Sequence, residues 1–188
     1  MNPLEDAIEE TSGESSSTVP IAKTRPAPIP FKFLRNSIYL DELTPELAVA
    51  AASGELLSAI ENHAMSWAPG SDQAAAITAA ITTDWHLGAT NNMVSPEPNT
   101  YDDLARVLSQ ATGKQITHRQ APAAQVVQVQ IDGSMDDDHA RSTVTDSQGA
   151  IAGGKCRTIG DDIQRLSGRG RPTPDYLATP VHRAHLTR

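Results

Sequence analysis

The sequence predicts a protein of the α/β or α+β class, because strand-like and helix-like segments alternate along its 188 residues. The strand-like segments are short apolar runs with partial alternation, and the helical ones carry apolar residues three and four positions apart. Capping residues before the helices and glycines after them separate the segments. Apolar residues make up 38% of the chain and aromatic ones only 4%, so we expect a thin core.

The first part of the chain, residues 1–27, is predicted to be the end of a helix followed by a linker rich in Ser and Pro. Leu4 and Ile8 lie at helical spacing, and Gly13 ends the pattern. Serines and prolines then dominate up to Pro30. Because proline holds the backbone extended and lacks a backbone donor, this stretch favours a linker or loop.

A strand, a helix and another strand are predicted next. Residues 31–36 are aromatic and aliphatic with partial alternation, which favours a strand. Thr44, followed by proline and glutamate, is expected to begin a helix that ends near Gly54. Residues 56–60 are expected to form a short strand.

The middle of the chain repeats this alternation. Ser71 and Asp72 are predicted to cap a second helix, and 88–94 to be a strand. The clearest helix begins after Thr100, which has capping-box spacing with an aspartate, and ends at Gly113. A strand is then expected at 115–118. The apolar stripe predicted for the second helix is Ala74, Ile77, Ala80 and Ile81.

The periodic pattern of apolar residues is weaker between residues 121 and 160, which are rich in polar residues. Alternating Val and Ile residues favour a strand at 126–131. The run Asp136–His139 has the residue types of a metal site. Adjacent residues cannot all converge on one ion, however, so we expect a solvated acidic loop and no metal site. A last helix is predicted at 161–168.

Charge and cysteine content limit the function classes. The net charge of −8 argues against a nucleic-acid surface, because phosphate binding needs concentrated Lys and Arg. We expect a solvated tail for the basic cluster of Arg165, Arg169 and Arg171, with Arg183 and Arg188 further on. An anion site is the alternative. The single cysteine, Cys156, is expected to be an inert thiol. No apolar run could cross a membrane and no signal segment is seen, so we expect a cytoplasmic protein.

Four segments, taken in order, resemble NmrA-like proteins of the NAD(P)H:quinone oxidoreductase type, an atypical group of short-chain dehydrogenases. They are DAIEETSG at 6–13, PIPFKFLRNSIYL at 28–40, NTYDDLARVLS through GK at 99–114, and DDIQRLSGR at 161–169. The resemblance implies a partial Rossmann-type fold with a small C-terminal substrate lobe. It places the end of the Rossmann-like domain and the substrate lobe in 28–120, and a weakly ordered acidic segment, a closing helix and a tail in 121–188.

In complete relatives the cofactor is NADP or NAD, and its reduced form passes a hydride to a quinone or another small acceptor. By this resemblance the loop after residue 35 faces the nicotinamide and acceptor, so Arg35, Asn36 and Tyr39 are the candidate site residues. An amide and a phenol there would orient an acceptor oxygen. The alternatives are that Asn36 caps a turn, Tyr39 packs on a helix and Arg35 forms a surface ion pair. Asp72 matches a family aspartate, but a helix cap is favoured over a catalytic base.

The sequence also departs from the family pattern. No G-x-[TS]-G-x-x-G loop occurs in it, and Gly153-Gly154 is no substitute, so we expect only the C-terminal half and doubt cofactor binding by the chain alone. Three hypotheses stay open: an oxidoreductase completed by another copy or polypeptide, a cofactor-independent regulatory or binding remnant, and a truncated product without activity. Exposed edges of an incomplete parallel sheet would favour self-association.

Overall fold

The computed structural model describes residues 31–83 and 88–178 of the chain. Within these ranges four short strands alternate with helices. The strands are β1 (Phe33–Asn36), β2 (Glu55–Ser58), β3 (Thr90–Met93) and β4 (Thr117–Gln120). The predicted helix end and linker in 1–27 lie outside the described residues, as do Trp85, His86, His182 and His185.

Eight α-helices are described between and after the strands. They are α1 (Thr44–Ser53), α2 (Gly70–Thr82), α3 (Tyr101–Thr112), α4 (Ala123–Asp132), α5 (Asp137–Ser142), α6 (Gly149–Ala152), α7 (Asp162–Ser167) and α8 (Thr173–Leu177). A 3-10 turn at Leu40–Leu43 leads into α1, and a π-helical turn at Thr143–Gln148 joins α5 to α6. In the described ranges, none of these helices combines the length and apolar character needed to cross a bilayer.

The strands form two parallel pairs, which confirms the α/β class. β1 pairs with β3, and β2 pairs with β4. Helices α2 and α7 pack on each other, and α7 also contacts β3. Helices α1, α3 and α4 contact β2. Parallel strands need crossover connections, and the helices between the paired strands provide them.

The largest core lies around the second strand pair. Its fully buried side chains include Leu47 of α1, Leu56 of β2, and Leu104 and Leu108 of α3. Trp67 is also completely buried there. Burial of the apolar stripe of α3 against α1 and β2 therefore holds this part together.

Several boundaries are confirmed by backbone geometry. Thr100 accepts a hydrogen bond from the backbone of Asp103, whose side chain accepts one from the backbone of Thr100, so the capping box is complete. Gly54, Gly113 and Gly168 follow their helices with φ of 85°, 72° and 69°. Only glycine adopts this left-handed conformation without strain, which explains why helices end there.

The strand predicted at 126–131 is wrong, because these residues belong to helix α4. Val126 and Gln130, four positions apart, are the buried residues of this helix. Packing of Val126 with Leu57 and Val144 outweighs the preference of branched residues for strands.

Two further local predictions are wrong. Asp136 caps α5 by accepting a hydrogen bond from the backbone of His139 at 3.2 Å, and the acidic run is the start of a helix rather than a loop. Carboxylates are favoured there by the helix dipole. In α2, Ile81 is 69% exposed and Ala74 is also exposed, while Ala76 is buried, so its buried face is rotated from the predicted stripe.

Candidate functional site at the carboxyl end of β1

Asn36 and Tyr39 come together at the carboxyl end of β1. Asn36 is the last residue of the strand and is exposed, and its amide Nδ2 donates to the Tyr39 hydroxyl at 2.9 Å. Tyr39 is half-buried, and its backbone forms a parallel bridge with Ala68 just before α2. The Tyr39 hydroxyl accepts from Asn36, so its own hydrogen stays available for another acceptor atom.

Arg35 lies apart from this pair, because successive side chains of a strand lie on opposite faces and Arg35 directly precedes Asn36 in β1. It is half-buried and lies opposite Asn92 of β3 in the register. Arg35 forms no ion pair with another residue of the described ranges. The structure therefore joins two of the three predicted site residues and sets the third apart.

Asp41, which the sequence did not single out, supports the loop that carries Tyr39. Its Oδ2 accepts from the backbone N–H of Gly70 at 2.6 Å, and its Oδ1 accepts from the hydroxyl of Tyr176. A Cβ atom on Gly70 would lie 3.0 Å from Asp41 Oδ2 and 3.6 Å from Tyr39 Cδ1. The close approach at Gly70 thus packs the start of α2 against this loop.

Tyr176 brings the C-terminal helix α8 to the same place. Burial, and then its hydrogen bond to Asp41, raise the pKa of Tyr176 well above its usual range. The Arg171 guanidinium lies 5.4 Å from the centre of its ring. Tyr176 is 137 positions after Tyr39 in the chain, so no local sequence pattern could have shown this contact.

Asp72 is a buried ion-pair partner and not the helix cap that the sequence favoured. Its side chain is fully buried, and Arg171 Nη2 lies 2.6 Å from Asp72 Oδ1. The backbone N–H of Arg171 also donates to Asp72 Oδ2 at 3.1 Å. Pro69 occupies the cap position of α2, and its side chain cannot cap. Burial alone would raise the pKa of Asp72, but the hydrogen bonds and charge of Arg171 hold it below its usual value.

The basic cluster is therefore only partly solvated, and the prediction of a solvated tail is wrong for Arg171. Arg165 pairs with Asp162, which also accepts from the backbone of Asn92 in β3. An open cleft of about 430 Å³ lies beside Arg171, lined by Gln164 and the loop 168–172. Its volume is within the range of small-molecule sites.

The described glycines do not form a pyrophosphate cradle. Such a cradle needs a glycine-rich turn between a strand and the N-terminus of a helix. Gly153 and Gly154 instead follow the four-residue helix α6 as its C-terminus. Within the described ranges no other glycine follows a strand into a helix in the G-x-G-x-x-G spacing. The described residues thus contain no phosphate-binding turn of this type.

A second polar group is buried away from β1. Glu46 of α1 is 4% exposed, and neither carboxylate oxygen has a partner in the described part of the chain. Burial raises its pKa to about 8. Tyr101 is also buried, and burial together with the charge of Glu46 raises its pKa well above the usual value.

Cys156 and the acidic run offer no further site. Burial raises the pKa of the Cys156 thiol, and Lys155 opposes this only in part, which agrees with an inert thiol. Among residues 31–83 and 88–178, no group of three or more His, Cys, Asp and Glu side chains is arranged to hold a metal ion.

Parallel strand pairs with helical crossovers make up part of a Rossmann-like fold. The chain is similar to Citrobacter sp. triphenylmethane reductase complexed with NADP(H), with 27% identity and a TM-score of 0.70. This match covers 78% of the chain and 52% of the reductase. A second structure of that reductase gives 25% identity and a TM-score of 0.73, covering 86% and 54%.

Two more distant structures share the fold. An NADPH-dependent quinone oxidoreductase from Escherichia coli has 22% identity and a TM-score of 0.70, covering 86% of this chain and 56% of that one. A nucleoside-diphosphate-sugar epimerase from Staphylococcus aureus has 18% identity and a TM-score of 0.67, covering 81% and 53%. No protein-family model and no curated protein sequence matches the chain. The chain thus spans about half the length of these proteins, and the expected partial resemblance is confirmed.

Proposed function

We propose that this chain is the acceptor-binding half of an NAD(P)H-dependent oxidoreductase that reduces a quinone or another small acceptor. The Asn36–Tyr39 hydrogen bond at the carboxyl end of β1 carries the proposal. Open parallel sheets bind ligands at the carboxyl ends of their strands. The neighbours crystallised with NADP(H) and NADPH support a nicotinamide cofactor.

In this proposal Tyr39 donates its hydroxyl hydrogen to an oxygen of the acceptor, and Asn36 holds the phenol by donating to its oxygen. The bound cofactor would supply a hydride to the acceptor. Asp41, Gly70 and Tyr176 act on the loop rather than on the acceptor, because they fix the backbone beside Tyr39. Arg35 stays a candidate for contact with the acceptor or nicotinamide. Residues outside the described ranges, another copy or another polypeptide would provide the phosphate-binding side.

A second candidate function is a cofactor-independent regulatory or binding module. The observation that favours it is the lack of a pyrophosphate cradle among the described residues. A cytoplasmic location, self-association, and function without nucleic acid or membrane stay predictions in both cases.

Thermal unfolding of the full chain with and without saturating NADPH separates the two functions. A ligand at about a hundred times its Kd stabilises the folded state by ~2.7 kcal/mol, so binding raises Tm. A raised Tm supports the oxidoreductase. A cooperative transition that NADPH does not shift supports the cofactor-independent module over an oxidoreductase that this chain or its own copies complete. The absence of a cooperative transition indicates a fragment without activity.

Acceptor binding is tested separately with menadione as the quinone probe. We expect the side-chain amide signals of Asn36 to shift on titration in an ¹⁵N–¹H spectrum. Tyr39→Phe should weaken binding severalfold, because the donated hydrogen is lost. Gln110→Ala, an exposed change on α3, is the control and should bind as the unaltered chain does. Equal affinity of Tyr39→Phe and the unaltered chain would contradict the assigned role.

A further inference from the structure

A continuous hydrogen-bonded chain runs from the surface into the core between β2 and β4. Asp102 Oδ1 lies 2.9 Å from His118 Nδ1, and His118 Nε2 lies 2.8 Å from Ser58 Oγ. The side chain of Asp102 is 64% exposed and that of His118 only 6%. Ser58 is completely buried. The imidazole therefore connects an exposed carboxylate to an interior hydroxyl.

The atoms are paired as in the triad of serine hydrolases, but burial excludes that chemistry. A nucleophilic serine must reach the carbonyl of a substrate, and the exposure of Ser58 is 0%. Its Oγ also donates to the carbonyl of Ile60 at 2.9 Å, within the same chain turn. The hydroxyl is thus used to hold the backbone that follows β2.

Counting the hydrogens around Ser58 shows which protonation state of His118 satisfies every hydrogen bond from Asp102 through His118 to Ser58. A hydroxyl has one hydrogen. If that hydrogen goes to the Ile60 carbonyl, Ser58 Oγ must accept from His118 Nε2, and Asp102 must accept from Nδ1. Both ring nitrogens then carry hydrogen. A neutral ring satisfies Asp102 and Ser58 only when the hydroxyl hydrogen turns from Ile60 towards Nε2.

We propose that Ser58, His118 and Asp102 form a proton-operated clasp that fixes the loop 59–64 when the imidazole is charged and loosens it when the imidazole is neutral. Loss of the ring proton moves the Ser58 hydrogen from the Ile60 carbonyl to Nε2, and removes the positive charge that faces Asp102. Both changes weaken the attachment of the loop to β2 and α3. This inference is independent of the proposed oxidoreductase function.

The loop 59–64 also binds Asp102 directly, through Asn62. Asn62 Nδ2 donates to Asp102 Oδ2 at 2.6 Å, and the backbone N–H of Asp102 donates to Asn62 Oδ1 at 3.2 Å. The two ends of the loop also have partners. Ala59 N–H donates to Gln148 Oε1 at 2.7 Å, and Met65 N–H donates to the carbonyl of Asn99 at 2.9 Å. These two amides therefore report on the loop.

The charged surroundings of the ring come from the elements packed against it. On α3, Asp102 contacts the ring directly, and Tyr101 stacks on it at 5.4 Å between centroids. The raised pKa of Tyr101 keeps it neutral. On the strands, Glu55 and Arg119 pair with each other at 3.1 Å on neighbouring, exposed positions. Glu46 of α1 interacts with Tyr101 rather than with the ring, so Asp102 is the carboxylate that the ring proton meets in the described structure.

Two measurements on the full chain, made at acidic and at alkaline pH, test the clasp. The first is ¹⁵N detection of the His118 ring. We expect hydrogen on both nitrogens at low pH and on Nδ1 alone at high pH. The second is hydrogen exchange of the Ala59 and Met65 amides, corrected for the intrinsic pH dependence. We expect protection to fall about three- to tenfold as the ring loses its proton, the size of one net hydrogen bond.

Variants separate the clasp from general changes with pH. Ser58→Ala should show low protection of both amides at every pH, because no hydroxyl holds Ile60. His63→Gln removes the imidazole that the loop itself carries, whose Nδ1 lies 3.4 Å from Arg157 Nη2, and should keep the behaviour of the unaltered chain. If Ser58→Ala fails to fold, the ring spectra and the amide exchange of the unaltered chain decide. A ring that is neutral throughout, hydrogen on Nε2 at high pH, protection independent of pH, or labelling of Ser58 by a fluorophosphonate would each overturn the proposal.

Discussion

Replacing Glu46 by Gln should remove a large part of the pH dependence of stability. Glu46 is buried without a partner for either oxygen in the described structure, and burial raises its pKa from 4.5 to about 8. In the unfolded chain the carboxyl ionises near its ordinary pKa. When the pH lies between the pKa of the unfolded chain and that of the folded chain, Glu46 is ionised in the unfolded state and must take up a proton on folding.

The sign and size follow from this difference. Stability is fully present below pH ~4.5 and falls as the pH rises towards about 8, the pKa of the folded state. The slope is about 1.4 kcal/mol per pH unit, so roughly 2.7 kcal/mol is lost between pH ~5 and ~7. Above pH ~8 the loss levels off, at on the order of 4–5 kcal/mol in total.

Urea unfolding at a series of pH values measures this pH-dependent contribution of Glu46 to the free energy of unfolding. We expect the free energy of unfolding of the unaltered chain to fall with the stated slope, and that of Glu46→Gln to be nearly flat over the same range. The absolute stability of Glu46→Gln is not the readout, because a buried amide has its own unpaired atoms. Glu46→Met, which carries no such atoms, should be more stable than the unaltered chain at pH ~8.

Glu42 provides a matched control, because it is an exposed glutamate in the 3-10 turn just before α1. Glu42→Gln should keep the pH slope of the unaltered chain. If Glu46→Gln and Glu42→Gln have the same slope, the carboxyl of Glu46 is not desolvated in the folded state, and the reasoning from its burial is refuted.

Three further predictions concern stability and are measured by urea unfolding. Asp72→Asn should cost about 1–3 kcal/mol, because the buried side chain loses its charge-assisted hydrogen bonds to Arg171, which is itself 40% exposed; a cost below about 0.5 kcal/mol would contradict a tight ion pair. Thr100→Ala should cost about 1 kcal/mol by breaking the capping box of α3, while Thr100→Ser should retain most of it. Gly133→Ala should cost about 1–3 kcal/mol, since the new Cβ would lie 2.3 Å from a methyl group of Val49. Val49→Ala should relieve that cost in the double variant, and purely additive effects would show that the two residues do not clash.

The sequence predicted correctly those structural features that depend on neighbouring residues only. The capping box at Thr100 and the helix ends at Gly54, Gly113 and Gly168 depend on backbone geometry within one turn, and residue type reports that geometry directly. The strand at 126–131 was predicted wrongly, because its residues suit a strand in isolation. Helix α4 forms there because packing decides between the two.

In the candidate site, too, contacts between nearby residues could be predicted and contacts between distant residues could not. The resemblance located Asn36 and Tyr39 within one loop, and their hydrogen bond spans three positions. Asp41 and Tyr176 were missed, since they are 135 positions apart and meet only in the folded chain. Asp72 was predicted to be a helix cap because it stands at the start of α2. Its actual partner, Arg171, lies 99 positions later.

The amino-acid sequence was thus sufficient to predict the α/β class, most helix and strand positions and the helix ends. These features follow from periodicity, capping and turn chemistry, which act over a few residues. Only the tertiary structure decided the parallel pairing of the strands, the burial of Glu46, the Asp72–Arg171 pair and the chain from Asp102 through His118 to Ser58. Each of these joins residues that are distant in sequence or depends on how much water the surrounding chain excludes.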